Sequence, residues 1–170
     1  MHKLSNTNPP SFTIVIVEDS IPYRTALCRV LKTKFPFACL IEAGSVEAAL
    51  RMYPEPGADL MFVDIHLPDG NGLDLVRALH RRPGNPEFCL MTVYDVPEYR
   101  LAAHDCGATH FLAKATSTSA DIIAVFEATM TQRARARRRY GCRRARVADE
   151  DAIGRVGVTL DDHGASGHSP

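Results

Sequence analysis

The chain has 170 residues, enough for one domain with a single buried core and an appendage. Hydrophobic residues make up 45%, yet no apolar run is long enough to span a membrane, and the polar opening MHKLSNTNPPS lacks the apolar centre of a signal peptide, so a cytoplasmic protein is expected. The formal net charge of zero is a cancellation: residues 1–132 carry 11 Lys/Arg against 15 Asp/Glu, 133–146 carry 8 against none, and 147–170 carry 1 against 5.

After the polar leader, 1–11, residues 12–17 (FTIVIV) form a strand candidate that ends at Glu18 and Asp19. Leu27, Val30 and Leu31 then recur at helical spacing through about Lys34. Residues 38–41 read as a second strand, and Val46, Ala49 and Leu50 mark a short helix. Residues 60–63 are fully apolar and partly β-branched, the pattern of a strand buried on both faces of a parallel sheet, and they end at Asp64. Pro68, Gly70 and Gly72 break that strand before an amphipathic helix marked by Leu73, Val76, Ala78 and Leu79. Residues 88–91 give a fourth strand ending at Thr92, and 97–106 a short helix that Gly107 can stop. Residues 109–112 give a fifth strand, just before Lys114. N-cap candidates at 116–119 precede a last helix whose apolar face is Ile122, Ile123, Val125, Phe126 and Met130.

Five strands alternating with five helices imply an α/β fold with a parallel sheet covered on both faces, because each parallel connection needs a crossover. Ligands bind outside the carboxyl ends of such strands. Polar groups collect there: Glu18 and Asp19 after the first strand, Asp64 after the third, Thr92 after the fourth and Lys114 after the fifth. Carboxylates gathered at one spot repel one another unless a cation sits between them. Mg²⁺ suits such a site, since it accepts one or two carboxylates together with waters and phosphate oxygens. A lysine and a hydroxyl beside it suit phosphoryl transfer to a carboxylate nucleophile. The five cysteines, at 28, 39, 89, 106 and 142, lack CxxC spacing, so neither a disulfide framework nor a zinc site is expected. The first four read as small hydrophobes in or beside apolar segments.

The motifs IVIVEDS (14–20), FVDIHLPDGNG (62–72), LMTVYD (90–95) and THFLAK (109–114) resemble those of receiver domains of two-component response regulators. The resemblance implies a flavodoxin-like (βα)5 doubly wound sheet over residues 12–131, with Asp64 as phospho-acceptor and Glu18, Asp19, Asp64 and the backbone carbonyl of His66 as Mg²⁺ ligands. It further implies that Thr92 and Lys114 contact the phosphoryl group and that Thr92 and Phe111 form a conformational switch. The chain would then be a signalling protein, not an enzyme beyond its own phosphorylation and dephosphorylation. Its expected partners are a sensor histidine kinase or phosphotransfer protein and a downstream protein, with a homodimer as a further candidate and no membrane. Ala115 stands where most receivers have proline, as in many receivers attached to LuxR-type helix-turn-helix domains. His66 and Tyr94 occupy the variable positions two after the acceptor and two after the switch threonine, where bulky side chains could screen the phosphoryl group from water.

The 38 residues after Gln132 are expected to carry no DNA-binding output domain. Residues 132–146 read as an Arg-rich helix extension or arm, helical to Tyr140 with Gly141 as a stop, and 147–170 as an acidic, disordered tail. Arg135, Arg137, Arg138 and Arg139 are the candidate nucleic-acid contacts through counterion release; nucleic acid is the less favoured partner because the apolar residues that would fix a geometry are missing.

Overall fold

A computed structural model describes residues 12–54, 57–82 and 84–153, with side chains as far as Ala136. The chain divides into two units at Thr131 and Gln132, each of which is described by itself.

In the first unit, strands β1 (Thr13–Val17), β2 (Cys39–Ala43), β3 (Leu60–Asp64), β6 (Glu87–Thr92) and β7 (His110–Ala113) form one parallel sheet in the order β2-β1-β3-β6-β7. Between β3 and the next helix lies a feature the sequence pattern did not suggest, a two-stranded hairpin of β4 (His66–Leu67) and β5 (Gly70–Asn71). The helices are α1 (Ile21–Lys34), α2 (Val46–Met52), α3 (Gly72–His80), α4 (Pro97–Cys106) and α5 (Ser119–Ile153). The first crossover leads from β1 out to β2 and the second returns past β1 to β3, so the winding reverses there and the carboxyl ends of β1 and β3 flank a crevice.

Strand alternation sorts the core into two layers. Val15, Val17, Met61, Val63, Phe88 and Leu90 face one way, against Ala49 of α2, Leu75, Val76 and Leu79 of α3, and Ala103 and Cys106 of α4. Ile14, Ile16, Leu60, Phe62, Cys89 and Met91 face the other way, against Leu27, Cys28 and Leu31 of α1 and Ile122, Val125 and Phe126 of α5. Phe126 is fully buried and stacks on Phe35 with ring centroids 3.8 Å apart, while Phe12 meets it edge-on at 4.7 Å. Burying such a ring contributes roughly 1.5–3 kcal/mol. Every residue of β3 is buried, which suits the central strand that carries Asp64 at its end.

Local chemistry sets the helix ends. Ser20, Ser45 and Asn71 cap α1, α2 and α3 through side-chain oxygens that accept from Tyr23, Ala48 and Leu73 amides. Gly107 ends α4 with φ 99°, a left-handed conformation open to glycine. Thr118, inside the expected cap window, exchanges bonds with Asp121 at the start of α5.

Several expectations need correction. In α3 the buried stripe is Leu75, Val76 and Leu79, and Ala78 is exposed. In α5, Met130 is 38% exposed and Thr129 is fully buried instead, because the Thr129 hydroxyl can satisfy itself on the Val125 carbonyl at 3.0 Å. Cys39 is exposed near the start of edge strand β2 and does not serve as a core hydrophobe, unlike Cys28, Cys89 and Cys106. In the second unit the helix does not stop at Gly141 but continues to Ile153; a glycine inside a helix costs only roughly 0.5–1 kcal/mol relative to alanine and does not by itself end one. Among the described residues no helix is long and apolar enough to cross a membrane.

Candidate functional site

Glu18 follows β1; its amide donates to the Ala43 carbonyl of β2 at 2.9 Å, and its side chain is fully buried. One carboxylate oxygen accepts from the Ser20 amide at 3.1 Å. Asp19, the next residue, is exposed. Asp64 is the last residue of β3, 5% exposed, and its Oδ1 accepts from the His66 amide at 3.2 Å. One carboxylate oxygen from each of Glu18, Asp19 and Asp64 lies within 4.8 Å of the other two.

Lys114 arrives from β7. Its amide donates to the Thr92 carbonyl at 2.7 Å, and this bond fixes where the side chain begins. Its ammonium reaches Glu18 Oε2 at 2.5 Å and Asp64 Oδ2 at 2.7 Å, and lies 4.9 Å from the Tyr23 ring centroid. Three carboxylates therefore share one nearby ammonium. Burial pushes the Glu18 carboxyl above its ordinary range and outweighs the opposing pull of Lys114, with Asp64 adding repulsion. The Tyr23 phenol is pushed up to about 12, first by burial and then by the neighbouring Glu18 carboxylate.

The segment after Asp64 is anchored at several points. A Cβ on Gly72 would lie 2.0 Å from the Asp64 carbonyl oxygen, so only glycine lets α3 start directly against the end of β3. Asp69 accepts from the amides of Val46 and Glu47 at 2.8 and 2.9 Å, tying the hairpin to the start of α2. His66 Nε2 is 3.0 Å from the Tyr99 hydroxyl of α4, and the His66 ring meets Tyr94 and Tyr99 edge-to-face. Thr92 is fully buried, with its hydroxyl accepting from the Tyr94 amide at 3.1 Å. Phe111 is half-buried on the α3–α4 side of the sheet, with the Arg100 guanidinium 4.7 Å from its ring centroid.

Glu18, Asp19, Asp64 and Lys114 thus come together, with Thr92 at the neighbouring strand end bonded to Lys114 through its carbonyl. Phe111 stands apart, three residues back along β7. Arg135 is exposed in the second unit, and the side chains of Arg137, Arg138 and Arg139 lie outside the described residues. Tyr23, Asp69 and Tyr99 contribute without having been singled out from the sequence. Tyr23 could have been found, since a residue three past the capping Ser20 lies in the first turn of α1. Nothing in the local sequence marks Tyr99.

Comparison with known proteins bears on the same residues. The DNA-binding transcriptional activator DevR/DosR of Mycobacterium tuberculosis is 32% identical over 101 residues, which are 59% of this chain and 46% of that protein. The swarming motility regulation protein RssB of Serratia marcescens is 34% identical over 101 residues, 59% of this chain and 45% of its own length. The chain spans about half the length of these curated relatives. Among solved structures, a CheY-like response regulator receiver domain from Methanospirillum hungatei superposes with a TM-score of 0.65 at 20% identity, covering 74% of this chain and 98% of that one. The receiver domain of the response regulator NarL from Mycobacterium tuberculosis gives 0.64 at 24%, covering 72% and 98%; these likenesses carry the fold. The family model for the response regulator receiver domain matches residues 14–127, more than half of the sequence. The chain belongs to the response regulator receiver family of two-component systems.

Proposed function

We propose that Asp64 accepts a phosphoryl group from a sensor histidine kinase or a phosphotransfer protein in a Mg²⁺-dependent reaction, and that the protein signals through phosphorylation-dependent contacts with a downstream protein. The observation that carries this reading is the Asp64 carboxylate held 2.7 Å from the Lys114 ammonium, within 4.8 Å of two further carboxylates. Asp64 attacks phosphorus through a carboxylate oxygen, and the bond to the donor's leaving group breaks as the new oxygen–phosphorus bond forms. The transfer asks for positioning and charge neutralisation more than for a base. Lys114 compensates charge on the arriving oxygens, and the Thr92 hydroxyl turns from the Tyr94 amide toward one of them.

The donor set fits a hard divalent cation: carboxylates of Glu18, Asp19 and Asp64 would hold it, with the His66 backbone carbonyl completing the protein ligands. When bound, Mg²⁺ supplies positive charge that offsets the acids and the phosphoryl oxygens. As Thr92 turns inward it vacates space into which the Phe111 ring can move, which would repack the surface around α4 and β7 as a partner site. In this reading the protein acts in signalling, and its only reactions are its own phosphorylation and dephosphorylation.

The test is labelling by a small phosphodonor such as acetyl phosphate. Asp64→Asn should abolish labelling and EDTA should suppress it. Equal labelling of the variant, or labelling indifferent to EDTA, overturns the reading.

A further inference from the structure

Of the three clustered acids, Asp19 alone is exposed, so its carboxylate goes where the backbone carries it. Two peptide groups flank it. The one after it presents the Ser20 amide, which a Glu18 carboxylate oxygen holds at 3.1 Å. The one before it presents the Glu18 carbonyl, which accepts from Arg24 Nη1. One side of Asp19 is thus fastened by its acidic neighbour and the other by an arginine that lies outside the acidic cluster.

Arg24 stands in the first turn of α1, and a helical side chain leans toward the amino end of its helix, so the guanidinium reaches back past Ser20 to the end of β1. Its Nε lies 3.4 Å from Glu42 Oε2 on β2, the edge strand paired in parallel with β1. The arginine side chain is only 19% exposed. One planar fork therefore joins α1, the last carbonyl before Asp19 and a carboxylate on β2. A guanidinium presents donors in two fixed directions, whereas an ammonium on a flexible stem is a point charge that does not hold both acceptors in one geometry.

We infer that Arg24 is a positioning residue for the metal-binding acids: its guanidinium, oriented by Glu42, fixes the Glu18 carbonyl and with it the peptide that carries Asp19. The inference rests on the proposed Mg²⁺-dependent phosphorylation of Asp64 and adds a support beneath it. Removing the outer partner of a metal ligand costs about 10- to 100-fold in metal affinity. The charge of Arg24 works the other way, because a cation near the site repels Mg²⁺, and deleting that charge alone would tighten binding. Positioning and charge therefore predict opposite signs.

Mg²⁺ affinity is measured by titration calorimetry on wild type, Arg24→Met, Arg24→Lys, Glu42→Ala, the Arg24→Met/Glu42→Ala double variant and Arg29→Met. Arg24→Met should weaken binding about tenfold although it removes a positive charge. Arg24→Lys keeps the charge and loses the fork, and should weaken binding about threefold or more. Glu42→Ala should weaken it about two- to fivefold in the wild-type background and add nothing to Arg24→Met, since the carboxylate acts only through the guanidinium. Arg29→Met removes a like charge from the exposed face of α1 and should stay within about twofold of wild type. Labelling by acetyl phosphate should split in the same way: in Arg24→Met the Mg²⁺ concentration for half-maximal rate rises about tenfold, while the rate at saturating Mg²⁺ stays within about twofold. Amide exchange at Ser20 should quicken in both Arg24 variants. An Arg24→Met affinity equal to or tighter than wild type overturns the inference. So does Arg24→Lys matching wild type, which makes the charge and not the fork the operative property, or a labelling rate at saturating Mg²⁺ that falls as far as the affinity, which marks general damage. Wild type that takes no label at Asp64 defeats the proposed function itself; normal wild-type labelling with unaltered Mg²⁺ affinity in Arg24→Met defeats this inference alone.

Discussion

At the amino edge of the sheet, Asp59 accepts from the Thr13 amide at 2.9 Å, and Glu87 Oε2 accepts from the Thr109 hydroxyl at 3.0 Å with His110 Nε2 at 3.5 Å. At the carboxyl edge, Glu18, Asp19 and Asp64 crowd within 4.8 Å, and Lys114 bridges two of them. The residue types are alike; what differs is the accounting of charge. On the amino edge these bonds run to a neutral amide and a hydroxyl, with a histidine close by, and they staple neighbouring strands. On the carboxyl edge acids outnumber the ammonium, and the burial of Glu18 raises its carboxyl against the attraction of Lys114. An excess of buried negative charge is costly in the free protein and is relieved by a cation, which is how a structural edge and a binding edge differ in one sheet.

Lys114→Ala breaks the comparison most severely. It removes the ammonium from Glu18 and Asp64, whose side chains are 0% and 8% exposed, and leaves them facing each other. Removing one partner of a buried ion pair costs roughly 3–5 kcal/mol. Urea unfolding without divalent metal should show a loss of about 3 kcal/mol, with Mg²⁺ recovering part of it. A loss below about 0.5 kcal/mol, the level of a surface pair, would mean that Lys114 does not hold the edge together.

Glu18→Gln and Glu87→Gln sharpen the comparison by sign. The Glu18 carboxyl has its pKa raised in the folded state, so its stability contribution is fully present below the unfolded value of 4.5 and is lost as pH rises through the folded value. Replacing it with neutral Gln should therefore raise the metal-free melting temperature at pH 7, by a few degrees for about 1 kcal/mol. The gain should shrink as pH falls toward 4.5. Glu87→Gln weakens the bond from the Thr109 hydroxyl and should cost about 0.5–1.5 kcal/mol, with phosphorylation retained. Equal signs for the two variants in metal-free thermal melts would erase the distinction between the edges.

The sequence displayed the carboxyl edge far better than the amino edge, for a physical reason. Glu18, Asp64 and Lys114 each end an apolar run, and a parallel sheet gathers strand ends, so position along the chain suffices to bring them together. The limits of α4 at Pro97 and Cys106 were legible because proline and glycine act on the backbone itself. Thr129 and Met130 were exchanged because helical periodicity does not register a hydroxyl satisfied by its own helix. The hairpin at His66–Leu67 and Gly70–Asn71 was hidden because two-residue strands carry no alternation to read. Tyr99 depends on how α4 is placed against the hairpin, a tertiary fact without a local sign.

The smallest expected effect concerns Asp69, an acid on the carboxyl edge that behaves like those of the amino edge. It is exposed, and its oxygens accept from the Glu47 and Val46 amides, which hold its carboxyl below the usual range. Both amides lie at the start of α2, where the unpaired N–H groups of a helix favour negative charge. A depressed folded value means that the contribution is present above the unfolded value of 3.8 and fades as pH falls through the folded one. Asp69→Ala should therefore lower the melting temperature slightly at pH 7, with the deficit closing in acid below the folded value. High salt should narrow it as well, because the charge is solvent-facing. A deficit that persists undiminished in both acid and salt would show that the side chain acts through backbone geometry at the hairpin turn and not through its charge. In either case amide exchange at Val46 and Glu47 should quicken, since those two N–H groups lose their acceptor. Unchanged exchange there would show that Asp69 leaves the start of α2 untouched.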